Sequence, residues 1–424
     1  MIVAGSSGGK GNTTGARFPG ARRAFGRGDE GYSAPGPTAA LWGMIRILQW
    51  VSVGAGLLMV AGTLLSLTRS PHWLVRGWDF PRMQITAVAI LAGGAYALCG
   101  IGGGVLGAGG GWAFLAAVGA CVLWQARKIY PYTPLARRWV RDSTRPRLAR
   151  GEPGWERRAT LRILISNVLQ ENTEHERLLA LVRAADPDIL LALETDEAWV
   201  RALEPLEAGY PHVVRKPLDN WYGLMLYSRL PLHDARVEFL IQDDIPSVHA
   251  WVELPSGTRV RLHGIHPRPP EPIHDMDSTP RDAELVLVGR TIGDFERDVP
   301  VVVAGDLNDV AWSPTTELFL RLSGLLDPRV GRGFYNSFNA DNPVLRYPLD
   351  HVFHSGDFRL VELRRMPHIG SDHFPMLIEL SYEPEAEREQ APLEERASDE
   401  EEAEEKLEEQ AEAARTGDDR PSDG

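Results

Sequence analysis

Three long apolar stretches dominate the first third of the chain: Ile47–Leu67, Met83–Ile101 and Val105–Trp124, none holding an Asp, Glu, Lys or Arg. Each has roughly the 20 residues that a helix needs to cross a bilayer core. The pattern predicts a three-helix transmembrane region over residues 41–126. The first stretch is too long for a cleaved signal peptide, and too much apolar sequence follows it. Gly100-Ile101-Gly102-Gly103-Gly104 reads as the tight turn of a helical hairpin. Gly103, Gly107 and Gly111 then fall four apart, a spacing that suits close helix packing in lipid.

From Leu161 to Tyr382 the pattern changes to short β-rich runs separated by Pro, Gly, Asp and Asn. Predicted strands are Leu161–Ser166, Ile189–Leu193, His212–Val214, Gly223–Tyr227, Val248–Glu253, Val260–Ile265, Val299–Ala304, Val352–His354 and Met376–Leu380. Helical spacing interrupts them at Thr173–Ala185 and Pro280–Glu296. Several strands lack an intervening helix, which favours a mixed sandwich of two sheets flanked by helices over a doubly wound sheet. Residues 1–40, rich in Gly, Ser, Ala and Arg, read as a disordered tail, and residues 127–160 as a basic, Pro-containing linker.

The net charge of −13 adds less than its size suggests. Residues 383–424 carry 18 acids and five bases, while the remainder is neutral with 40 of each. That acidic tail reads as disordered, locally helical around Ala397–Ala414 and too poor in apolar residues to bury a core. Only two cysteines occur, Cys99 and Cys121, both inside apolar stretches. This excludes a disulfide framework and a thiolate metal site.

The chemistry sits at strand ends. The run Ala304-Gly305-Asp306-Leu307-Asn308 follows the apolar stretch Val299 to Val303, and alternation points Asp306 and Asn308 to one side. Asn167, Glu194 and His266 close three other predicted strands, and Asp372-His373 lies just before Met376–Leu380. Such a set of Asn, Glu, Asp and His suits a hard cation and phosphoester cleavage, with oxygen donors for Mg²⁺ or Mn²⁺. Glu194 is the primary metal ligand expected, with Asn167 beside it and Asp372 as a metal-side carboxylate. Asp306 either binds a second metal position or deprotonates water; Asn308 either holds the phosphate or orients the nucleophile. Asp350 and His373 are expected to pair, a carboxylate fixing an imidazole as general acid or transition-state stabiliser. His266 is placed to donate to a phosphoryl oxygen. His351 and His354 read as structural.

The ordered set SNVLQEN, LLALETDE, YGLMLYSRLP, LHGIHPRP, AGDLNDVAWSP, YPLDHVFHS and GSDHFPM resembles the endonuclease/exonuclease/phosphatase (deoxyribonuclease I-like) superfamily. The resemblance covers residues 161–382 and implies a four-layered α/β/β/α sandwich with a Mg²⁺-dependent site at one sheet edge. By position, Asn167 and Glu194 are similar to the family's metal-side Asn and Glu, and His266 to its His or Tyr near the phosphate. Asp306 and Asn308 resemble its Asp-x-Asn, and Asp350, Asp372 and His373 its Asp and terminal Asp-His. Three spans before such a domain resemble a membrane-anchored bacterial branch, some members of which are linked to glycopeptide-antibiotic resistance.

Within that class, the expected activity is a phosphatase or phosphodiesterase acting on lipid-linked or small phosphoesters at the cell membrane. The alternatives are a membrane-tethered nuclease and an inert membrane scaffold. Arg215, Lys216, Arg229, Arg268 and Arg346 are scattered among acids rather than gathered into a nucleic-acid stripe. An intact set of acid, base and metal residues argues against the scaffold. Basic residues flanking the spans lean towards a cytoplasmic domain, whereas the antibiotic-resistance resemblance leans outward. Oligomeric state is not legible.

Overall fold

The computed structural model describes residues 37–68, 70–100, 104–148, 151–270 and 277–416. The N-terminal tail up to residue 36, residues 417–424 and most of the Gly100–Gly104 turn lie outside them. The chain divides into two compact units, Met1–Ile45 and Arg46–Gly424. Nine helices are described: α1 (Pro37–Leu65), α2 (Trp73–Arg76), α3 (Arg82–Leu98), α4 (Gly107–Ile129), α5 (His175–Ala185), α6 (Glu197–Leu203), α7 (Thr279–Phe295), α8 (Pro314–Ser323) and α9 (Asp399–Thr416). Two of them, α1 and the helical stretch from Gly107 to Tyr132, are long and apolar enough to cross a membrane. The middle stretch, expected as a full span, forms the 17-residue α3, about 25 Å long at 1.5 Å per residue.

The eleven strands begin with β1 (Thr160–Asn167), β2 (Ile189–Leu193), β3 (His212–Lys216), β4 (Leu224–Ser228), β5 (Leu232–Glu238) and β6 (Ser247–Glu253). They continue with β7 (Arg259–Gly264), β8 (Val301–Asp306), β9 (Asp350–His354), β10 (Phe358–Arg365) and β11 (Met376–Tyr382). One sheet runs β10-β11-β1-β2-β4-β3 and the other β5-β6-β7-β8-β9. Alternation divides the residues of each strand between two cores. Ile163, Ile165, Leu191, Leu262, Val302 and Ala304 meet between the sheets. On the outer face of the first sheet Leu164 and Leu190 pack on Leu178, Val182 and Trp199 of α5 and α6. On the outer face of the second, Val303 packs on Leu285, Ile292 and Phe319 of α7 and α8. The order is helix, sheet, sheet, helix.

Three boundaries differ from the sequence reading. The basic linker is part of the domain: Val140 joins the inter-sheet core with Phe358 and Leu360. Its neighbour Asp142 bridges Leu360 in parallel, and Ser143 N–H donates to the Leu360 carbonyl at 2.7 Å. The acidic tail, expected to be disordered apart from a local helix around Ala397–Ala414, forms α9 over residues 399–416 and, against expectation, docks on α7 and α8. Its apolar content is small, but Ala403 is buried against Val286 and Leu318, with Leu407 beside them. Charge pairs complete the contact: Arg321 to Asp399 at 2.7 Å and Lys406 to Asp282 at 2.8 Å. The helices α7 and α8 thus supply the partners that the tail lacks by itself. Finally, β5 and β10 were not expected; both are edge strands.

These contacts set an expectation for truncation. A fragment from Gly151 to Tyr382 loses Val140 and α9, and so leaves apolar core surface open. Burying one such aliphatic or aromatic side chain is worth roughly 1.5–3 kcal/mol. A fragment from Tyr130 to Thr416 should therefore melt higher by about 10 °C. Equal melting temperatures for the two fragments would remove the linker and α9 from the folding unit.

Candidate active site

The parity that fills the inter-sheet core also builds the site. Ile163 and Ile165 point between the sheets, and the same phase along β1 reaches Asn167. Val302 and Ala304 do so on β8, and the same phase reaches Asp306. Val260 and Leu262 on β7 set the phase for His266, two residues beyond the strand. The sandwich therefore ends in a polar floor, and strands from both sheets contribute to it.

The backbone holds this floor by close approaches. A Cβ on Gly305 would lie 1.9 Å from the Ile265 carbonyl oxygen, so the residue before Asp306 must be glycine for β8 to sit this close to the end of β7. Glu194 has φ of 60° and Asn308 of 49°, a left-handed backbone uncommon outside glycine. Next to Glu194, Thr195 N–H donates to the Gly223 carbonyl at 2.9 Å. This backbone bond fixes Glu194 at the strand end.

All eight expected site residues converge in this region. Asn167 Nδ2 donates to Glu194 Oε1 at 2.6 Å and to Asp306 Oδ2 at 3.1 Å, while its Oδ1 accepts from Leu169 N–H. Asp306 is the hub: its Oδ1 accepts from Asn308 N–H at 2.9 Å, and its Oδ2 lies 3.5 Å from His373 Nε2 and 3.9 Å from His266 Nε2. His373 Nδ1 is 2.8 Å from Asp350 Oδ2, the expected pair. Asp372 lines the same cleft as Glu194, His266, Asn308 and His373. His351 and His354 lie elsewhere, bonded through ring nitrogens to the Asp309 and Ser355 carbonyls at 2.9 and 2.8 Å.

Charge in the floor is unevenly satisfied. Burial, with Asp372 and Asp306 nearby, pushes Glu194 up to about 8 despite its bond from Asn167. Its side chain keeps an edge on the cleft, while its carboxyl is surrounded by protein. Burial also raises Asp372 and Asp350, and the His373 imidazole pulls both back in part. Burial depresses His373, but Asp350 and Asp306 outweigh it and raise the ring to about 10. His266 has only Asp306, at 3.9 Å, to offset its burial; burial wins and lowers it to about 4, and its Nδ1 has no hydrogen-bond partner. The floor thus presents one charged imidazole and one neutral one.

Two groups of atoms here have the make-up of a cation site. Asp306, Asp350 and His373 offer ligand atoms within 4.8 Å of one another. In that group His373 Nδ1 is already spent on Asp350, and a protonated ring repels a cation. The Glu194, Asp306 and Asn167 side is richer in oxygen, and Glu194 has no Lys or Arg partner among the described residues. A carboxyl raised chiefly by burial, with Asp372 and Asp306 adding to it, fits a divalent cation. The ligand role expected for Asn167 requires its amide oxygen, rather than its nitrogen, to face those carboxylates.

Residues 164–373 match the Endonuclease/Exonuclease/phosphatase family. This segment is a domain of that family. The family consists of phosphoester hydrolases, and the two-sheet architecture with flanking helices is its fold. The chain is also similar to humanized D. rerio TDP2, at 18% identity over 53% of this chain and 99% of that one, with a TM-score of 0.44. It resembles the human Nocturnin catalytic domain at 17% identity over 53% and 95%, TM-score 0.43. An endonuclease/exonuclease/phosphatase from Beutenbergia cavernae is 20% identical over 53% and 72%, TM-score 0.42. No curated protein matches the chain.

Sequence reasoning missed residues that position this family's site here. Ser371 Oγ donates to the Asn167 carbonyl at 2.9 Å and accepts from His373 N–H at 3.0 Å, joining β1 to the Asp-His turn. Ser337 Oγ accepts from Asp350 N–H at 3.1 Å. Buried Arg281 on α7 donates to the Asn308 carbonyl at 2.9 Å. Small hydroxyls and a remote arginine carry no local signature. Trp73, Gly77 and Phe80, from between the first two apolar stretches, also line the cleft.

Proposed function

We propose that the protein is a membrane-anchored, Mg²⁺- or Mn²⁺-dependent phosphoester hydrolase, acting as a phosphatase or phosphodiesterase on lipid-linked or small phosphoesters. The observation that carries this is the Asp306 hub, which gathers Asn167, His266 and His373 from different strand ends. Glu194, with Asp372 nearby and Asn167 turned, is the residue that would lead in holding the cation, which leaves Asp306 for the base role. When bound, the cation neutralises charge on the phosphoryl oxygens. Protonated His373, held by Asp350, donates a hydrogen bond to the phosphoryl group as charge builds there. Neutral His266 keeps an N–H for a second phosphoryl oxygen. Asn308 Nδ2 is spent on the Pro267 carbonyl at 2.9 Å, which leaves its amide oxygen to orient the attacking water. Asp306 is the acceptor for that water's proton.

Membrane anchoring is supported by large apolar side chains on helix faces that no protein covers. Trp50, Leu58 and Leu64 on α1, Leu91 and Leu98 on α3, and Trp112 and Leu123 on α4 are all exposed. Ser66 and Thr68, just past α1, and Lys128 near the end of α4 line one cleft with Pro314 and Glu317 of the domain. Both helices end at the domain, which supports a reading in which α3 runs away from it and α4 returns, α1 and the stretch from Gly107 to Tyr132 being long and apolar enough to cross. The lipid or small phosphoester is favoured over nucleic acid because four of the domain's scattered arginines are occupied. Arg215 pairs with Glu207, Arg229 with Asp186 and Arg268 with Asp244. Arg346 donates to the Asn339 and Ala340 carbonyls. Among the described residues no Lys or Arg lines the cleft.

The test uses the full chain in detergent or lipid nanodiscs with Mg²⁺ or Mn²⁺. Polyprenyl and phospholipid phosphoesters, small aryl phosphoesters, duplex DNA and RNA are offered in parallel. Hydrolysis of the lipid or small esters, abolished by EDTA and restored by the cation, is the expected result. Full activity in metal-free buffer removes the cation from the mechanism. Salt-sensitive cleavage of DNA with no turnover of the other esters converts the assignment to a nuclease.

A further inference from the structure

One wall of the catalytic cleft does not come from the sandwich. The cleft measures about 490 Å³, and its lining includes Trp73, Gly77 and Phe80 as well as Glu194 and His373. Those three residues belong to the link between α1 and α3. Trp73 is eight residues from the end of α1 and nine from the start of α3, which on the membrane-anchored reading puts the wall close to the level where α1 leaves the bilayer. We propose that this segment, Pro71–Phe80, is a specificity wall that binds the hydrocarbon part of an amphiphilic phosphoester while its phosphoryl group rests on the Asp306–His373 floor. The proposal rests on the membrane-bound hydrolase reading above and names what the same site selects.

The segment is fixed from both sides. On the membrane side Asp79 takes Arg82 at 2.6 Å and Arg76 at 3.3 Å, all three buried. Arg82 donates to Gln125 Oε1 of α4 at 3.0 Å, and Gln125 Nε2 donates to Thr63 Oγ1 of α1 at 2.8 Å. This polar chain joins the wall to α1, α3 and α4. Burying such charges is costly unless they are paired, so these ion pairs favour one position for the segment, although Asp79 Oδ2 accepts and Arg82 Nε donates no hydrogen bond. Trp78 adds a steric key: a Cβ on Gly62 of α1 would lie 2.1 Å from its indole. On the catalytic side Trp312 Nε1 donates to the Asp79 carbonyl at 2.7 Å. Trp312 lies six residues after Asp306, so the wall touches the loop that carries Asn308. Phe80 meets Tyr347 edge-on, with ring centroids 5.6 Å apart. Ser278 N–H donates to the Pro71 carbonyl at 2.9 Å, and His72 bridges Asp277.

The wall chemistry is one-sided. Trp73 and Phe80 offer indole and phenyl surface, joined at the rim by Trp221, Tyr222 and Phe338, and no Lys or Arg lines this cleft among the described residues. Charged donors for a second phosphate or a nucleic-acid backbone are absent from that lining. Aromatic surface opposite a phosphoryl floor selects a molecule with one charged end and one apolar end. The membrane helices thereby serve the site twice, as anchor and as part of the pocket.

A matched pair of substrates reads this directly: methyl and hexadecyl p-nitrophenyl phosphate, which share the scissile bond, leaving group and colour change. The full chain in nanodiscs is expected to prefer the hexadecyl ester. Trp73→Ala and Phe80→Ala should each lower kcat/KM for the hexadecyl ester by about 10-fold, mainly through KM, from lost apolar contact. Turnover of the methyl ester should stay within about twofold, the variation expected where no chemistry is touched. Trp73→Phe should restore most of the preference. Equal losses on both esters make the wall merely structural and overturn the proposal, as does a variant that loses nothing on either. Wild-type turnover of both esters without preference overturns the wall and leaves phosphoester hydrolysis standing. Turnover of neither overturns the hydrolase reading and the wall with it.

Discussion

Replacing His373 with Ala is expected to lower turnover by about 10²–10⁴-fold, the range for one positioned acid–base group. Its ring lies between two carboxylates, Asp350 Oδ2 at 2.8 Å and Asp306 Oδ2 at 3.5 Å. Burial disfavours charge on the ring, yet these neighbours hold it protonated up to about 10. A group with a raised folded-state pKa stabilises the fold fully below its unfolded value of about 6.5, and that stability is lost as the pH rises through the folded value. His373→Ala should therefore flatten the decline in stability between neutral pH and about 10 as well as remove activity. Asp350→Asn should cost a sizeable share of the same rate, because the imidazole loses the partner that orients it. The double variant should fall far short of the combined losses, since the two residues act as a unit. Losses that add in a steady-state assay would separate Asp350 from His373 in function.

What the sequence disclosed, and what it hid, follows from the range of the interactions. Asn167, Asp306 and His266 were legible because each extends the inward phase of a buried strand, and that phase is written in adjacent residues. The strands β5 and β10 were not legible. As edge strands they are half solvated, their sequences LHDARVE and FRLVELRR carry charges, and each is interrupted by a register shift. The helix α8 did have a local sign, Ser313 as N-cap and Pro314 at the first turn, but it follows so closely on the Asp306–Asn308 motif that it reads as loop. The docking of the tail, though not its helix, was misjudged for a different reason. A Glu-rich helix with one apolar stripe has no partner in its own sequence; Arg321, Arg290 and Asp282 come from elements about 80–125 residues earlier. The cleft wall is the extreme case, since Asp79 and Trp312 are 233 residues apart. Nothing in an apolar hairpin connection announces that it completes a pocket on another domain.

Glu194→Gln is expected to separate function from stability most sharply. Glu194 lies in the metal-free protein beside Asp306 and Asp372, and burial with those charges raises its carboxyl to about 8. A carboxyl whose folded pKa lies above its unfolded value destabilises the fold progressively as the pH rises from about 4.5 towards the folded value. Metal-free protein should thus become less stable between pH 5 and 8, and Gln, which keeps the shape and a bond to Asn167, should remove that slope. Water reaching the carboxyl through the cleft discounts the gain, leaving on the order of 1–2 kcal/mol, or roughly 2–8 °C in Tm at pH 8. Activity should move the other way, falling by at least about 10²-fold as the cation loses its strongest ligand. Added Mg²⁺ or Mn²⁺ should raise the Tm of the wild type and do much less for the variant, because a cation stabilises only the state that binds it. Calorimetry in detergent across pH 5–8, with EDTA and then with cation, reads all three effects in one preparation. A variant that melts lower than the wild type in EDTA at pH 8 would show that Glu194 is held by structural bonds and is not kept strained for a cation. A wild type whose Tm ignores both cations would place the metal elsewhere, and the Asp306, Asp350 and His373 group would then be the site to mutate next.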